Sequence, residues 1–560
     1  MKLLVNTKGI LLLLLILSGC ATQEEKPKTV IAAWQPYDES AMIAANADHP
    51  STRMRFKHVQ SVVSDKNDLW KQVGDQIADF SEQDYNNLQS MILEQDIPMI
   101  QSFIKEGKLT YEQLTKWYLY RIVKFENDST KHLNALISIN PNAVADAQRC
   151  DRARAEGDHP IFGMPILLKD NIGFEGLPTT AGAVALTNNN APDAFIVERI
   201  EAKGGIILGK LNLSEWANFL SDGNPNGWSV VGGQTLNPYG RGKYDTGGSS
   251  SASGVSMAAN FGAAAVGTET AGSILSPASS NSTVGLKPTI GLLSRGGIVP
   301  ISSTLDTPGP ITRNVTDNAI LLDAMTGSDP KDSATDGKTA SDTYISQLRS
   351  GKLEGTRFGV NKRYITDTTY AQIPYTKAVA VLKTAGGEMM EFEAAGMNYQ
   401  GFVELLSADM KIDLPAYLSE YADPAVPFRS VADVVEYNLA DTLVRIPYGQ
   451  ARFDGIGETE LTEEELVALR EQLRVAGANV LEDAMKTQEL DVILSINNWD
   501  AAIAAVAKYP CLTIPMGYTE DGAPIGLTMI ARPMEEEKLL QLGYAFEQLT
   551  KSRKIPVDYR

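Results

Sequence analysis

The chain has 560 residues, 43% of them hydrophobic, enough to bury a large core and, on length alone, to form several domains. Its net charge of −19 argues against a nucleic-acid partner, which would demand a basic face. An acidic surface aids solubility and suits an enzyme acting on neutral or cationic small molecules.

The N-terminus reads as a targeting segment, residues 1–19. Lys2 and Lys8 form a positive n-region, and Ile10–Leu17 is an unbroken apolar run too short to span a bilayer. The run ends in Leu17-Ser18-Gly19-Cys20, small residues before a cysteine, the pattern cut by a signal peptidase that acts ahead of a lipidated cysteine. The expectation is an exported lipoprotein of the periplasm or cell envelope, held to the membrane by lipid on Cys20. Ala21 stands where Asp commonly retains lipoproteins in the inner membrane, which points to an outer-membrane anchor in a Gram-negative host. Residues 20–75 are polar and irregular, a tether and extension ahead of one large domain over 76–560.

Thr110 and Gln113 form a capping-box pattern that opens a helix to about Phe125. Leu133–Ile139 reads as a strand, and Pro141 to Gly157 as a helix with Pro at its first position and Gly beyond its last. Pro165–Leu168 is apolar and flanked by breakers, a buried strand with Lys169 at its end. A helix over 193–203 and a strand over 205–208 follow, then a small-residue helix over 251–260 and a strand over 263–267. This alternation predicts a mixed α/β core with both sheet faces covered. Residues 329–489 shift to helices, with one strand near Phe358–Val360 and a capping box at Thr462 and Glu465, and read as an insertion or cap that builds the substrate pocket. Asp491–Ile496 returns to a buried strand, and 511–516 with 525–530 flank Glu520-Asp521-Gly522 as a hairpin.

Cys150 and Cys511 remain once Cys20 is assigned to lipid. Two cysteines make neither a disulfide framework nor a zinc site, and buried inert thiols are expected, with a single bridge between them left open by export.

The chemistry concentrates in Thr246–Pro277, a Ser/Gly-rich run interleaved with Val, Met, Phe and Ala at core-like spacing, unlike a flexible linker. It lacks the Gly-Lys-Ser/Thr of a phosphate loop and the Gly-x-Ser-x-Gly of a nucleophile elbow. The chain has four histidines, His49, His58, His132 and His159, none beside a candidate serine, and His159 reads as a solvated loop residue. The base left for a serine nucleophile is lysine.

Gly163-Met164-Pro165-Ile166-Leu167-Leu168-Lys169-Asp170-Asn171 resembles the lysine motif of the amidase signature family. The run from Gly247 to Pro288 resembles that family's signature, with Ser249 and Ser273 at its 24-residue spacing. The likeness continues through Asp306-Thr307-Pro308-Gly309-Pro310, Arg313 and Asp317 and resumes at Pro510–Pro533. Thr268-Glu269-Thr270 and Gly296–Ser302 resemble the peptide-amidase branch, although Ala271 stands where that branch commonly has Asp, and Leu275 where many members have Arg.

The resemblance implies an amidase without metal or cofactor. Ser273 would be the nucleophile, Ser249 the bridge to Lys169 after a cis Gly248–Ser249 peptide, and the N–H groups of Thr270, Ala271, Gly272 and Ser273 the oxyanion hole. Ser250 is a candidate substrate contact. The implied substrate is a small-molecule or peptide amide, C-terminal peptide amides fitting the branch. Two other readings share the fold: the amidotransferase component of a tRNA-charging complex, and a surface binding lipoprotein without catalysis.

Overall fold

Buried apolar runs such as Pro165–Lys169 and Val492–Ile496 form the inner strands, and the computed structural model describes residues 29–560 of the chain; Cys20 and the targeting segment lie outside the described residues. The strands are β1 Leu136–Ile139, β2 Pro165–Lys169, β3 Ile206–Leu211, β4 Trp228–Ser229, β5 Gly233–Gln234, β6 Ala264–Glu269, β7 Val284–Lys287, β8 Thr307–Thr312, β9 Arg357–Asn361, β10 Glu388–Phe392, β11 Val492–Ile496, β12 Cys511–Tyr518 and β13 Pro524–Ile530. Eleven of them make one mixed sheet in the order β1-β3-β2-β6-β8-β7-β12-β13-β11-β9-β10, while β4 and β5 pair separately. β2 runs parallel to both its neighbours, β3 and β6. β6, β8, β7, β12 and β13 then alternate in direction, and β11, β9 and β10 are again parallel. Every residue of β2, β3 and β6 is buried, so helices and loops cover both faces there, as the near-continuous apolar runs require. The fold is the expected α/β sheet flanked by helices.

Local signals decide several boundaries. Thr110 caps the helix Tyr111–Glu126 reciprocally with Gln113, and Thr462 does the same with Glu465 for Glu463–Thr487. β12 and β13 pair antiparallel across the Glu520–Gly522 turn. The helix expected from Pro141 instead covers Ala143–Ala153, so Pro141 precedes it and Gly157, at φ +90°, turns the loop beyond it.

The extension is more ordered than its polar composition suggests. From residue 29 it forms the helices Ser40–Asn46 and Asn67–Val73, and Trp34, Phe56, Val59, Trp70 and Val73 join the main core. Asn67 stitches it together by accepting from the Trp34 N–H at 2.7 Å. The region 329–489 contributes two strands, β9 and β10, to the end of the main sheet. Its later helices, including Phe402–Glu420 and Val431–Leu439, bury a second apolar cluster against Ala183, Trp216, Leu220, Val299 and Ile301. These partners sit in loops at one end of the sheet, which fixes the position of the cap. Among the described residues, no helix is long and apolar enough to cross a membrane.

Candidate active site

Lys169 ends β2, and Thr268 lies near the end of the adjacent parallel strand β6. The buried lysine finds three polar neighbours: Ser249 Oγ at 2.8 Å, Thr268 Oγ1 at 2.8 Å and the Thr268 carbonyl at 3.2 Å. The carbonyl can only accept. Thr268 Oγ1 also accepts from Asn171 Nδ2 at 3.0 Å. A neutral amine has two N–H groups and one lone pair, so with both hydrogens on Thr268 the lone pair is left for the Ser249 hydroxyl.

No carboxylate lies within ion-pair distance of Lys169 among the described residues. Burial pushes its pKa down to about 7, against smaller upward pulls from the charges of Asp306 and Glu269. Asp170, next in sequence, turns elsewhere: it is buried beside Lys210 at 3.2 Å and accepts from the Thr180 backbone N–H at 3.1 Å.

Ser249 is fully buried and follows a cis Gly248–Ser249 peptide. Its carbonyl accepts from Ser214 N–H at 3.1 Å, and Ser250 N–H donates to the Ser273 carbonyl at 3.2 Å, which ties the two serine loops together. The approach is close enough to require glycine. Gly247 has φ +64°, and a Cβ there would meet the backbone of Ser276 and Pro277 at 2.7 Å.

Ser273 is half-buried and stands just ahead of the short helix Leu275–Ser280, after Gly272 at φ +103°. The Glu269 carboxylate holds this turn, accepting from Ile274 N–H at 2.7 Å and Leu275 N–H at 3.0 Å. Burial raises the Glu269 pKa, opposed by the charge of Lys287 and the backbone N–H groups of the turn. The backbone N–H groups of Thr270, Ala271 and Ser273 find no acceptor among the described residues. The N–H of Gly272 faces Glu269. Three of the four expected oxyanion donors are therefore free, and Gly272 serves the turn instead.

Ser250 differs from its expected role as a substrate contact. Its hydroxyl donates to the Thr268 carbonyl at 2.9 Å and accepts from the Thr268 N–H at 3.1 Å, and the residue is fully buried. It braces β6. Leu275 is buried among Ile493, Ile503 and Cys511, an apolar setting that explains a leucine where an arginine is common.

A cavity of about 170 Å³ opens beside this cluster. Thr268 and Thr270 line it on the serine side; Ile298, Val299 and Ile301 form an apolar wall, and Asp413 and Tyr417 of the helix Phe402–Glu420 lie across from them. The cap thus supplies part of the pocket rather than all of it, and the segment 295–308 supplies more. Asp306 secures that segment to the turn: it accepts from Thr270 Oγ1 at 2.6 Å, Ile301 N–H at 2.7 Å and Ser302 N–H at 2.9 Å.

None of the four histidines contacts the lysine–serine pair. His159 is not solvated as expected: it is largely buried, with Nε2 2.8 Å from Asp323. Cys150 and Cys511 are both free, half-buried and buried respectively, and burial pushes their thiols up to about 11 and about 12. Among the described residues, no group of His, Cys, Asp and Glu could hold a metal ion.

Thr268, Glu269 and Asp306 are the functional positions that motif reading passes over as site residues. Thr268 and Glu269 stand in the signature run, yet their roles depend on which strand lies beside β2.

A family model described as Amidase matches residues 114–445. The sequence is 38% identical over 486 residues to a probable amidase of Arabidopsis thaliana, covering 83% of this chain and 92% of that protein. It is 31% identical over 491 residues to a glutamyl-tRNA(Gln) amidotransferase component from Thermoanaerobacter pseudethanolicus, covering 82% and 96%. The fold matches the structure of an amidase family protein from Bacillus anthracis with a TM-score of 0.84 and 34% identity, over 90% of this chain and 100% of that one. It matches a peptide amidase from Stenotrophomonas maltophilia with a TM-score of 0.77 and 35% identity, over 83% and 98%. With a family match over more than half its length and relatives above 30% identity that it spans almost end to end, the chain belongs to the amidase signature family, enzymes that hydrolyse amide carbon–nitrogen bonds.

Proposed function

We propose that the protein is an exported, lipid-anchored amidase that works through a Ser273 acyl-enzyme, with C-terminal peptide amides as its substrate class. The observation that carries the catalytic reading is the 2.8 Å contact between two fully buried groups, Lys169 Nζ and Ser249 Oγ, with no carboxylate paired to the lysine among the described residues.

Neutral Lys169 takes the Ser249 proton as Ser249 takes the proton of Ser273. Ser273 Oγ bonds to the amide carbon, and the oxyanion is held by the N–H groups of Thr270, Ala271 and Ser273. Ser249 returns a proton to the leaving nitrogen, the C–N bond breaks, and ammonia or an amine departs. Water then adds to the ester along the same relay, releasing the carboxylic acid and restoring Ser273.

Thr268 aims the lysine lone pair. Thr268→Val removes one of the two groups that occupy the amine hydrogens, and it is expected to lower kcat about 10- to 100-fold, within the range of general-base effects. An unchanged kcat in stopped assays on folded protein would remove Thr268 from the relay.

The peptide-amide substrate is supported by 35% identity to the peptide amidase. A panel of peptide, aryl, fatty-acyl and simple aliphatic amides, followed by ammonia release, tests it; the account expects the peptide amides to be turned over fastest. Lipid anchoring is supported by the Leu17–Cys20 pattern after the apolar run. Labelled palmitate should enter the wild-type protein and not Cys20→Ala, and labelling of both or neither would contradict an anchor at Cys20. The family likeness extends to amidotransferases. The net charge of −19 favours a free-standing hydrolase over a tRNA-associated assembly.

A further inference from the structure

The helix Phe402–Glu420 presents Asp413, Ala416, Tyr417 and Glu420 to the cavity, the spacing of a single helical face. Most charge around the cavity is already matched. Arg295 donates to Asp332 through Nε at 2.9 Å and also to the Ser303 carbonyl. Asp306 is saturated by Thr270, Ile301 and Ser302. Lys331 lies at the rim, exposed, 5.4 Å over the Tyr421 ring, and Glu420 is exposed.

Asp413 is different. It is half-buried, one oxygen accepts from the Ser303 N–H at 2.5 Å, the Ser303 hydroxyl also donates to the carboxylate, and no cation lies within ion-pair distance among the described residues. Arg295 is near enough to feel its charge but is committed to Asp332, and the carboxylates beside Asp413 add to the negative charge. Burial, with the negative charges of Asp409 and Asp306 beside it, pushes its carboxyl up to about 6. Asp409 is itself paired with Arg470. A half-buried carboxylate with no ion-pair partner of its own, on a pocket wall where Arg295 is engaged by Asp332 and Lys331 lies exposed, is suited to a cation brought in from outside.

We infer that Asp413 is a specificity-determining residue that receives a protonated amine on the acyl portion of the substrate, so that the enzyme prefers amides of amino acids or short peptides with a free amino group over their N-acylated forms. This rests on the amidase reading of the same site. The ammonium would sit against the free face of the carboxylate, with its aliphatic neighbours against Ile298, Val299 and Tyr417. The acidic net charge of the chain adds a favourable field for such a cation.

The test uses amino-acid, dipeptide and tripeptide amides, each free and N-acetylated, at pH 7, where an α-amino group is largely protonated. The readout is the ratio of kcat/KM for the free over the acetylated amide. Asp413→Asn keeps an acceptor for the Ser303 N–H, and the acetylated amide reports in the same protein whether the site is intact. For at least one chain length the wild-type ratio should exceed one and fall about tenfold in Asp413→Asn, carried mainly by KM, as expected for loss of one partly screened ion pair. Turnover of both forms with a ratio that Asp413→Asn leaves unchanged overturns the inference alone. Absence of turnover of every amide by the unaltered enzyme overturns the amidase reading and this inference with it.

Discussion

Ser273→Ala is expected to lower kcat/KM toward amides by on the order of 10⁴-fold or more, because the acyl-enzyme route is lost outright and only substrate binding and the oxyanion donors remain. The change deletes one oxygen from a half-buried residue whose backbone is held independently. Ser250 N–H fixes the Ser273 carbonyl, and Glu269 fixes the two following N–H groups. The variant should therefore keep the wild-type unfolding midpoint while losing activity. Near-full activity in the purified variant would mean that another residue attacks the amide.

The second large effect concerns Lys169. Only its neutral form can accept a proton. With a pKa held near 7 by burial, that form grows as pH rises through about 7. The kcat/KM of the wild type should climb over that interval and then level, and falling pH should switch the enzyme off by protonating the amine. Lys169→Met should lower kcat by about 10²- to 10⁴-fold and abolish this limb of the profile, the expected loss when a positioned general base is removed. A limb near 6.5 that survives in Lys169→Met and disappears with one histidine substitution would assign the base to histidine. Circular dichroism of the variant separates this from misfolding, since the substitution leaves Thr268 Oγ1, the Thr268 carbonyl and Ser249 Oγ short of a partner.

Much of this arrangement is legible in the sequence, for physical reasons that differ along the chain. The strand before Lys169 is readable because a strand buried on both faces is a bare apolar run. The helix caps at Thr110 and Thr462 are readable because capping is local: donor and acceptor lie three residues apart. The hairpin over 511–530 carries its turn in its own residues. The spacing of Ser249 and Ser273 survives translation into structure because the helix Ser251–Ala258 and β6 fill the interval with a fixed length of chain.

What the sequence hides is set by contacts between distant segments. β10, Glu388–Phe392, has mostly exposed or half-buried residues, so it lacks the apolar signature and is a strand only because β9 offers a free edge. The extension 29–75 looks like a tether, yet Trp34, Phe56 and Trp70 are enough to anchor it on the core. Ser250 is adjacent to Ser249 in sequence but its hydroxyl is spent on β6, which no local pattern encodes. His159 reads as a loop residue and is held by Asp323, 164 positions away. Asp413 lies in a helix whose cavity-facing stripe is defined by the loop 295–308 opposite it.

Ser273 as the nucleophile, with its reactivity supplied by Ser249 and Lys169, is open to a direct chemical readout. A fluorophosphonate probe reads it most directly, because it bonds covalently to an activated serine and far more slowly to an ordinary one. Peptide mass mapping of the labelled protein should find the adduct on Ser273, with labelling slowed strongly in Ser249→Ala and Lys169→Met. An adduct on a different residue, or labelling of Ser273 at the same rate in all three proteins, would contradict the account.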